Sequence, residues 1–403
     1  MSTKAAEPQR RLLRLCSWCF VIVVLVVVAT ASVSASGLVV DKANGAELFY
    51  YFVKSESSAA AADDVPFLLW LTGGDRCSVL SGLAFEIGPV NFVVEPYNGS
   101  LPRLRYNQNS EPRGYDVGDI SSTLHLYDFL IKWFSDHAEF LTNPFYIGGD
   151  SYAGKIAPFL AQIVSEGIEA GSRKLPNLKG YLVGNPGTGE IIDYSSRVPY
   201  AHGVGIISDQ LYETILGHCQ GQDFFNPSNA LCAQALNTFN NLIDQVQKSQ
   251  ILLDKCVYAS AVPNIGRKTD GSDGRRTLRE EMGAGELNHP PARPPVSCMT
   301  YGYYLSYFWA NDRRTREALG IKKGTVDEWV RCHDKELPYT NDLGSVIKYH
   351  RNVTTRGYRA LIHDRLLKQL DIRDNQGRWD TAPEYEPERC FAMFSRWILN
   401  RPL

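Results

Sequence analysis

Apolar positions along the chain change period several times, and each change marks an element. Residues 46–55, "AELFYYFVKS", alternate in the manner of a strand, and "VPFLLWLTGG" (65–74) is an apolar run closed by glycines. The second pattern predicts a buried strand entering a loop with exposed backbone. Over 119–141 the period becomes helical: Ile120, Leu124, Tyr127, Ile131 and Phe134 recur, and Asp119 stands where an N-cap belongs. "NPFYIGGDS" (143–151) predicts a short strand, and 152–170 a helix with the apolar stripe Ile156, Leu160, Ile163 and Val164. "LKGYLVGNPGTG" (178–189) is a further strand ended by turn residues. This strand–helix–strand alternation predicts a parallel sheet with helices on its faces. His125 and His137 lie in or at the end of the first helix without a partner motif, as packing or surface residues do.

From about Ile191 to Tyr301 the pattern shifts to helical pieces, four cysteines and long polar stretches, an insertion that reads as a cap over the sheet. Within it, residues of about 265–296 are rich in Gly, Pro and charge with no apolar face, a composition that favours a mobile loop. The Arg275–Arg276 pair in it reads as part of a solvated loop, with a processing site or basic patch as alternatives. The tail returns to helix with "CFAMFSRWIL" (390–399).

The N-terminus places Lys4, Arg10, Arg11 and Arg14 before the run "LCSWCFVIVVLVVVATASVSA", with small residues near Ala31 and Ala35. Basic flank, apolar centre and small residues describe a cleaved secretory signal peptide over 1–35. An uncleaved anchor is the alternative, and only in that case is a membrane a partner. Across 403 residues, 44% hydrophobic and 21% charged, composition is that of a globular protein. A formal net charge of −2 gives no global field for nucleic acid. After the leader, the cysteines fall at wide spacings with no C-x-x-C, which argues against zinc and for disulfides. Asn98-Gly-Ser and Asn352-Val-Thr are glycosylation sequons for an exported chain. No calcium, zinc or nucleotide motif occurs, so neither metal nor cofactor is expected.

Candidate chemistry centres on Gly149-Asp-Ser-Tyr-Ala153, close to G-x-S-x-G. Such a serine occupies a sharp, strained strand-to-helix turn, and bulky neighbours would clash there. The turn sets Oγ at a helix N-terminus, whose N–H groups favour developing negative charge.

A second stretch, "LLWLTGGDRCSVLSGLAFEIGP" (68–89), accompanies "FYIGGDSYAGK" and "NLKGYLVGNP". In this order, from about Leu38 to Leu403, the motifs resemble the serine carboxypeptidase-like family of α/β-hydrolases. The resemblance implies an α/β fold with a mostly parallel central sheet flanked by helices. Its first part is 36–190, the inserted helical cap 191–300, and a shortened second part 301–403. It also implies Ser151 as nucleophile and the backbone N–H groups of Gly74 and Tyr152 as oxyanion hole. The implied disulfides are Cys77–Cys332, Cys219–Cys232 and Cys256–Cys298, with Cys390 left over. Family carboxypeptidases carry Asn where Thr72 stands and Glu where Asp150 stands, side chains that hold a peptide's terminal carboxylate. The shorter pair looks like the plant acyltransferase branch, which takes acyl groups from glucose esters.

Three departures qualify the expected chemistry. The loop Gly73-Gly74-Asp75-Arg76-Cys77 has Asp-Arg where the family has Pro-Gly, beside the oxyanion hole. Ser110 runs directly into Glu111, where the family has an apolar strand and a Gly-rich loop. Loss of a mid-sheet strand exposes pairing edges or makes the neighbours close up. Finally, "YRALIHDRLLKQLDIRDNQGRWDTAPEYEPERC" joins two regions that the family separates, and the triad Asp and His are both unmatched. Asp380 stands at the histidine position. Among the late histidines His333, His350 and His363, only His363 follows the strand where the family's acid belongs, a weak surrogate. The expected function is acyl transfer or hydrolysis through an acyl-Ser151 intermediate, with a glucose ester or peptide as substrate, impaired for want of a base. A non-catalytic binding protein or truncated isoform is the alternative. Export implies a secretory-pathway protein, extracellular or vacuolar.

Overall fold

An apolar run without alternation is stable as a strand only if both of its faces are covered. β5 (Phe67–Leu71) meets that condition, with every residue buried. The computed structural model describes residues 18–20, 22–25, 33–42, 46–54, 65–71, 73, 78, 80, 84, 90–106, 118–172, 174–247, 251, 253–256, 291–298, 300–319, 321, 328–331, 339–363 and 387–403. β5 pairs in parallel with β8 (Pro144–Asp150), β8 with β9 (Asn177–Gly184), and β9 with β10 (Arg359–His363). Phe67, Leu69, Ile147, Tyr181 and Val183 face α1 (Asp119–Asp136) and α2 (Ala153–Glu169), against Phe129, Trp133, Leu160 and Val164. Leu68, Trp70, Tyr146, Leu182 and Leu361 face the other way, onto Phe394, Trp397 and Ile398 of α10 (Pro387–Ile398). The expected parallel sheet with helices on both faces is the observed one.

On its far side the sheet takes up part of the chain expected as a leader. β1 (Trp18–Phe20) and β2 (Ile22–Leu25) run parallel to β4 (Ala46–Lys54) in one register, Trp18 opposite Glu47 and Val23 opposite Phe52. β2 also pairs antiparallel with β5, Ile22 opposite Trp70. β3 (Val33–Asp41) pairs with the free side of β4, so the boundary expected at residue 35 falls inside a strand. A valine-rich run has high strand propensity, and the position between β4 and β5 offers it hydrogen-bonding partners on both sides. β4 and β5 are therefore neither open edges on their facing sides nor direct neighbours. β6 (Val90–Phe92) and β7 (Leu104–Tyr106) form a separate hairpin ahead of that junction.

The chosen stripe on α1 is rotated from the observed one. Ile120 and Leu124 are exposed, while Ser122, Thr123, Leu126, Phe129, Leu130, Trp133 and Phe134 are buried. Polar residues enter this face because they satisfy themselves locally, as Thr123 does by donating to the Asp119 carbonyl at 2.6 Å. The N-cap is Gly118, and Asp119 is the first residue of the helix. On α2 the expected Ile156, Leu160 and Val164 are buried, with Ile163 packed against them.

After β9 come α3 (Ile192–Ser195), α4 (Arg197–Gly203), α5 (Asp209–Cys219) and α6 (Ala230–Ile243). These helices gather an apolar cluster of their own around Val198, Ile215, Leu236 and Phe239. Cys219–Cys232 bonds α5 to α6, and Cys256–Cys298 is also formed. Cys77, Cys332, Arg275, Arg276 and most of the expected loop lie outside the described residues. α7 (Tyr301–Asn311), α8 (Arg313–Ala318) and α9 (Ile347–Thr355) lead back to β10. Among the described residues, no helix is long and apolar enough to cross a membrane.

With β1 and β2 in the sheet, a chain beginning at Val33 leaves β4 and β5 unpaired on their facing sides. Such a chain is expected to lose cooperative urea unfolding and to self-associate, measured by circular dichroism and light scattering against the full chain. An unchanged midpoint and a monomeric state would show that no strand is needed there.

Candidate active site

Ser151 leaves β8 with a φ of 50°, a left-handed backbone that costs a non-glycine residue on the order of 1–3 kcal/mol. Main-chain bonds hold it there. Its N–H donates to the Gly184 carbonyl at 2.8 Å, and its own carbonyl accepts from Gly154 at 3.0 Å and Gly187 at 2.9 Å. The glycines answer to close approach. A Cβ on Gly149 would meet the Ala153 Cβ at 2.8 Å, and one on Gly73 would meet the Ser151 Cβ at 2.6 Å. α2 starts two residues on, at Ala153, so the serine sits just ahead of a helix N-terminus.

Asp150 is 4% exposed, and its Oδ1 accepts the Gly73 N–H at 3.0 Å. The carboxylate thus ties the loop after β5 to the nucleophile turn. Tyr152 continues the turn, with its ring anchored away from the serine. Its hydroxyl donates to Asp119 Oδ1 at 2.7 Å and lies 2.8 Å from the Asn341 carboxamide oxygen. Asp119 is fully buried and also accepts from Tyr339 at 2.8 Å, from Lys155 Nζ at 3.0 Å and from the Leu343 N–H at 2.9 Å. Burial, and then the Asp119 carboxylate beside it, push the Tyr339 hydroxyl well above the usual phenol range. This cluster locks the start of α2 to the start of α1 and to the 339–343 strap. It was not foreseen in the sequence. The signal was Lys155, a cation inside an otherwise apolar helix face next to the turn, which a buried carboxylate must match.

The other expected site residues scatter. Thr72, Gly74, His333 and Asp380 lie outside the described residues. His350 is on α9, with Nδ1 2.6 Å from the Tyr181 hydroxyl, and burial lowers its pKa below the ordinary 6.5. Tyr181 stands three residues short of the end of β9, about 10 Å below the turn, so His350 is remote from Ser151. His363 is different: it ends β10 opposite Gly184, which is itself opposite Asp150. Asn98 is exposed in a turn, where its Oδ1 accepts the Ser100 N–H. Asn352 is exposed on α9 and donates to Gln162 at 3.1 Å. No His, Cys, Asp or Glu group among the described residues is arranged to hold a metal ion.

Two outcomes follow from the buried groups. Asp119→Ala removes the partner of a buried lysine and is expected to cost about 3 to 5 kcal/mol in denaturant unfolding. An effect below about 1 kcal/mol would mean that the cluster is solvated. For His350 the folded value lies below the unfolded one, so the unfolded chain protonates first. The stability it contributes is present above 6.5 and is lost as pH falls through the depressed value. His350→Gln is expected to flatten that acid limb in thermal melts taken between pH 4 and pH 7 (about the range in which histidine titrates).

The profile of the serine carboxypeptidase family matches residues 29–110 and 105–365. The two matches overlap over residues 105–110, which end at the junction of Ser110 with Glu111. Serine carboxypeptidase-like 19 of Arabidopsis thaliana is 35% identical over 432 aligned residues, covering 90% of each chain. Serine carboxypeptidase-like 3 of the same plant is 35% identical over 421, covering 89% of this chain and 86% of its own. Both alignments exceed the 403 residues present here, so each relative has stretches with no counterpart in this chain. A prohormone-processing carboxypeptidase of Saccharomyces cerevisiae superposes with a TM-score of 0.53 at 18% identity, over 83% of this chain and 73% of that one. That likeness speaks for the fold, an α/β-hydrolase. A parallel sheet covered on both faces, a left-handed serine at its C-terminal edge and matches along most of the sequence agree: the chain belongs to the serine carboxypeptidase family.

Proposed function

We propose that the chain carries an acyl group on Ser151 Oγ during transfer from an activated ester, and that glucose esters rather than peptides are its donors. The observation that supports this most directly is the left-handed Ser151 ahead of α2, with Gly73 packed against its Cβ. In this reading the N–H groups of Gly74 and Tyr152 receive the oxyanion. The preference for an acyl ester rests on Thr72 and Asp150. A peptidase needs donors and acceptors that reach a terminal carboxylate, whereas here the Asp150 carboxylate is bonded to the Gly73 N–H. The two sequons and the disulfides support a compartment outside the cytosol, extracellular or vacuolar. No metal or cofactor takes part in this reading.

Turnover is expected to be slow. With no base at all, only the oxyanion hole and substrate binding would act, a loss of about 10⁴ to 10⁶ in rate against a complete triad. A second reading, a binding protein that retains the pocket, is favoured by Asp380 at the histidine position and by the stretches that the relatives have and this chain lacks.

The test is mass spectrometry of the chain incubated with a cinnamoyl-type glucose ester and, separately, with a blocked peptide bearing a free C-terminus. The expected result is an acyl adduct on Ser151 from the ester only, absent in Ser151→Ala. Peptide cleavage without ester turnover would reverse the donor preference. Saturable ester binding with no adduct would favour the binding protein.

A further inference from the structure

We propose that His363 is the general base for Ser151, acting from the end of β10 in place of the unmatched family histidine. The inference rests on the acyl-serine reading above and adds the residue that makes it chemically complete.

Three parallel strands end level with one another. Asp150 on β8 is opposite Gly184 on β9, and Gly184 is opposite His363 on β10. His363 therefore starts two strand spacings from the nucleophile strand, about 10 Å along the sheet. Its side chain recovers much of that distance. A Cβ built on Gly184 would lie 2.7 Å from both Nε2 and Cε1 of His363 and 3.6 Å from Nδ1. The ring thus lies over Gly184, with Nε2 and Cε1 its nearest atoms, in space that any side chain at 184 would fill. The carbonyl of that same Gly184 accepts the Ser151 N–H at 2.8 Å, so the residue under the imidazole is the one that fixes the serine turn.

His363 and Asp150 share one face of the sheet: His363 is two residues from Leu361 and Asp150 four from Tyr146, both of which pack toward α10. His350 is held on the opposite face against Tyr181. His363 is half-buried. A ring that merely packs on a glycine is the plain alternative, and it predicts different kinetics.

In the step itself, Ser151 Oγ attacks the carbonyl carbon of an acyl ester as its proton passes to His363 Nε2, and the carbonyl π pair moves onto oxygen. The tetrahedral adduct collapses, the C–O bond to the leaving alcohol breaks, and the imidazolium returns the proton to that oxygen. An acceptor hydroxyl or water repeats the sequence in reverse and frees the serine.

The test is the second-order rate at which a fluorophosphonate labels the full chain, with Ser151→Ala as the blank and melts to confirm folding. His363→Ala is expected to label about a hundredfold or more slowly and to recover in part when free imidazole fills the vacated space. Should that variant not fold, His363→Gln keeps the bulk over Gly184 and is expected to be equally slow. An unchanged rate in a folded variant, with Ser151 still labelled, overturns the inference and leaves the acyl-serine reading standing. A slow rate without imidazole recovery assigns His363 a packing role and also overturns it. Folded wild-type chain that takes up no label overturns both.

Discussion

The hydrogen bond from the Ser151 N–H to the Gly184 carbonyl is the constraint on which the site depends. It crosses from the end of β8 to the end of β9 after the regular ladder has stopped, and it holds the chain where φ is 50°. A residue with a side chain does not stay in that conformation unaided. Two further N–H groups, from Gly154 and Gly187, close on the Ser151 carbonyl, and Gly73 fills the space against its Cβ. The geometry of the nucleophile is thus set by backbone from β8, α2 and the loops after β5 and β9. It requires β5, β8, β9 and β10 to keep their register, and each of those pairings is present.

That dependence runs through one side of β5 only. The position between β4 and β5 is on the side of β5 away from β8. Whatever occupies it governs whether β5 is covered, but the pairing of Leu71 with Gly149, which sets Gly73 beside Ser151, is made on the opposite side. In this structure the occupant is the run at 22–25, parallel to β4 and antiparallel to β5. A strand in that position with one antiparallel neighbour still gives both edges their hydrogen bonds. Orientation matters less than coverage at a position far from the chemistry.

Elements with strong local patterns were legible in the sequence, and those fixed by distant partners were not. The double-sided burial of Phe67–Leu71, the strand before Ser151 and the α2 stripe all follow from short stretches that carry their own period. The buried face of α1 did not, because Ser122 and Thr123 occupy it while Ile120 and Leu124 are exposed. Asp119 has the composition of an N-cap, yet its carboxylate serves a lysine, two tyrosines and a main-chain N–H brought from as far as residue 343. No local rule reports such partners. The apolar N-terminal run satisfies both the leader pattern and strand propensity, and composition alone does not separate them. At the site, Ser151 could be read from its pentapeptide. The ring of His363 could not, since its position depends on the register of β10 against β9 and on the absence of a side chain at 184.

Strain at the serine does not by itself report activity. Main-chain bonds and a buried ion cluster maintain the φ of 50°, and none of them changes when a proton acceptor is lost. An α/β-hydrolase elbow is therefore held by its surroundings whether or not a base is present. What distinguishes a working serine from a preserved one is a titratable nitrogen within reach of Oγ. The Asp119 cluster supplies none: Lys155 Nζ donates to the Asp119 carboxylate at 3.0 Å. His350 is bonded to a tyrosine beneath the sheet edge. Across the three level strand ends, the remaining group of the right chemistry is the imidazole over Gly184. For the described residues, the question of activity thus reduces to whether that ring reaches the serine hydroxyl.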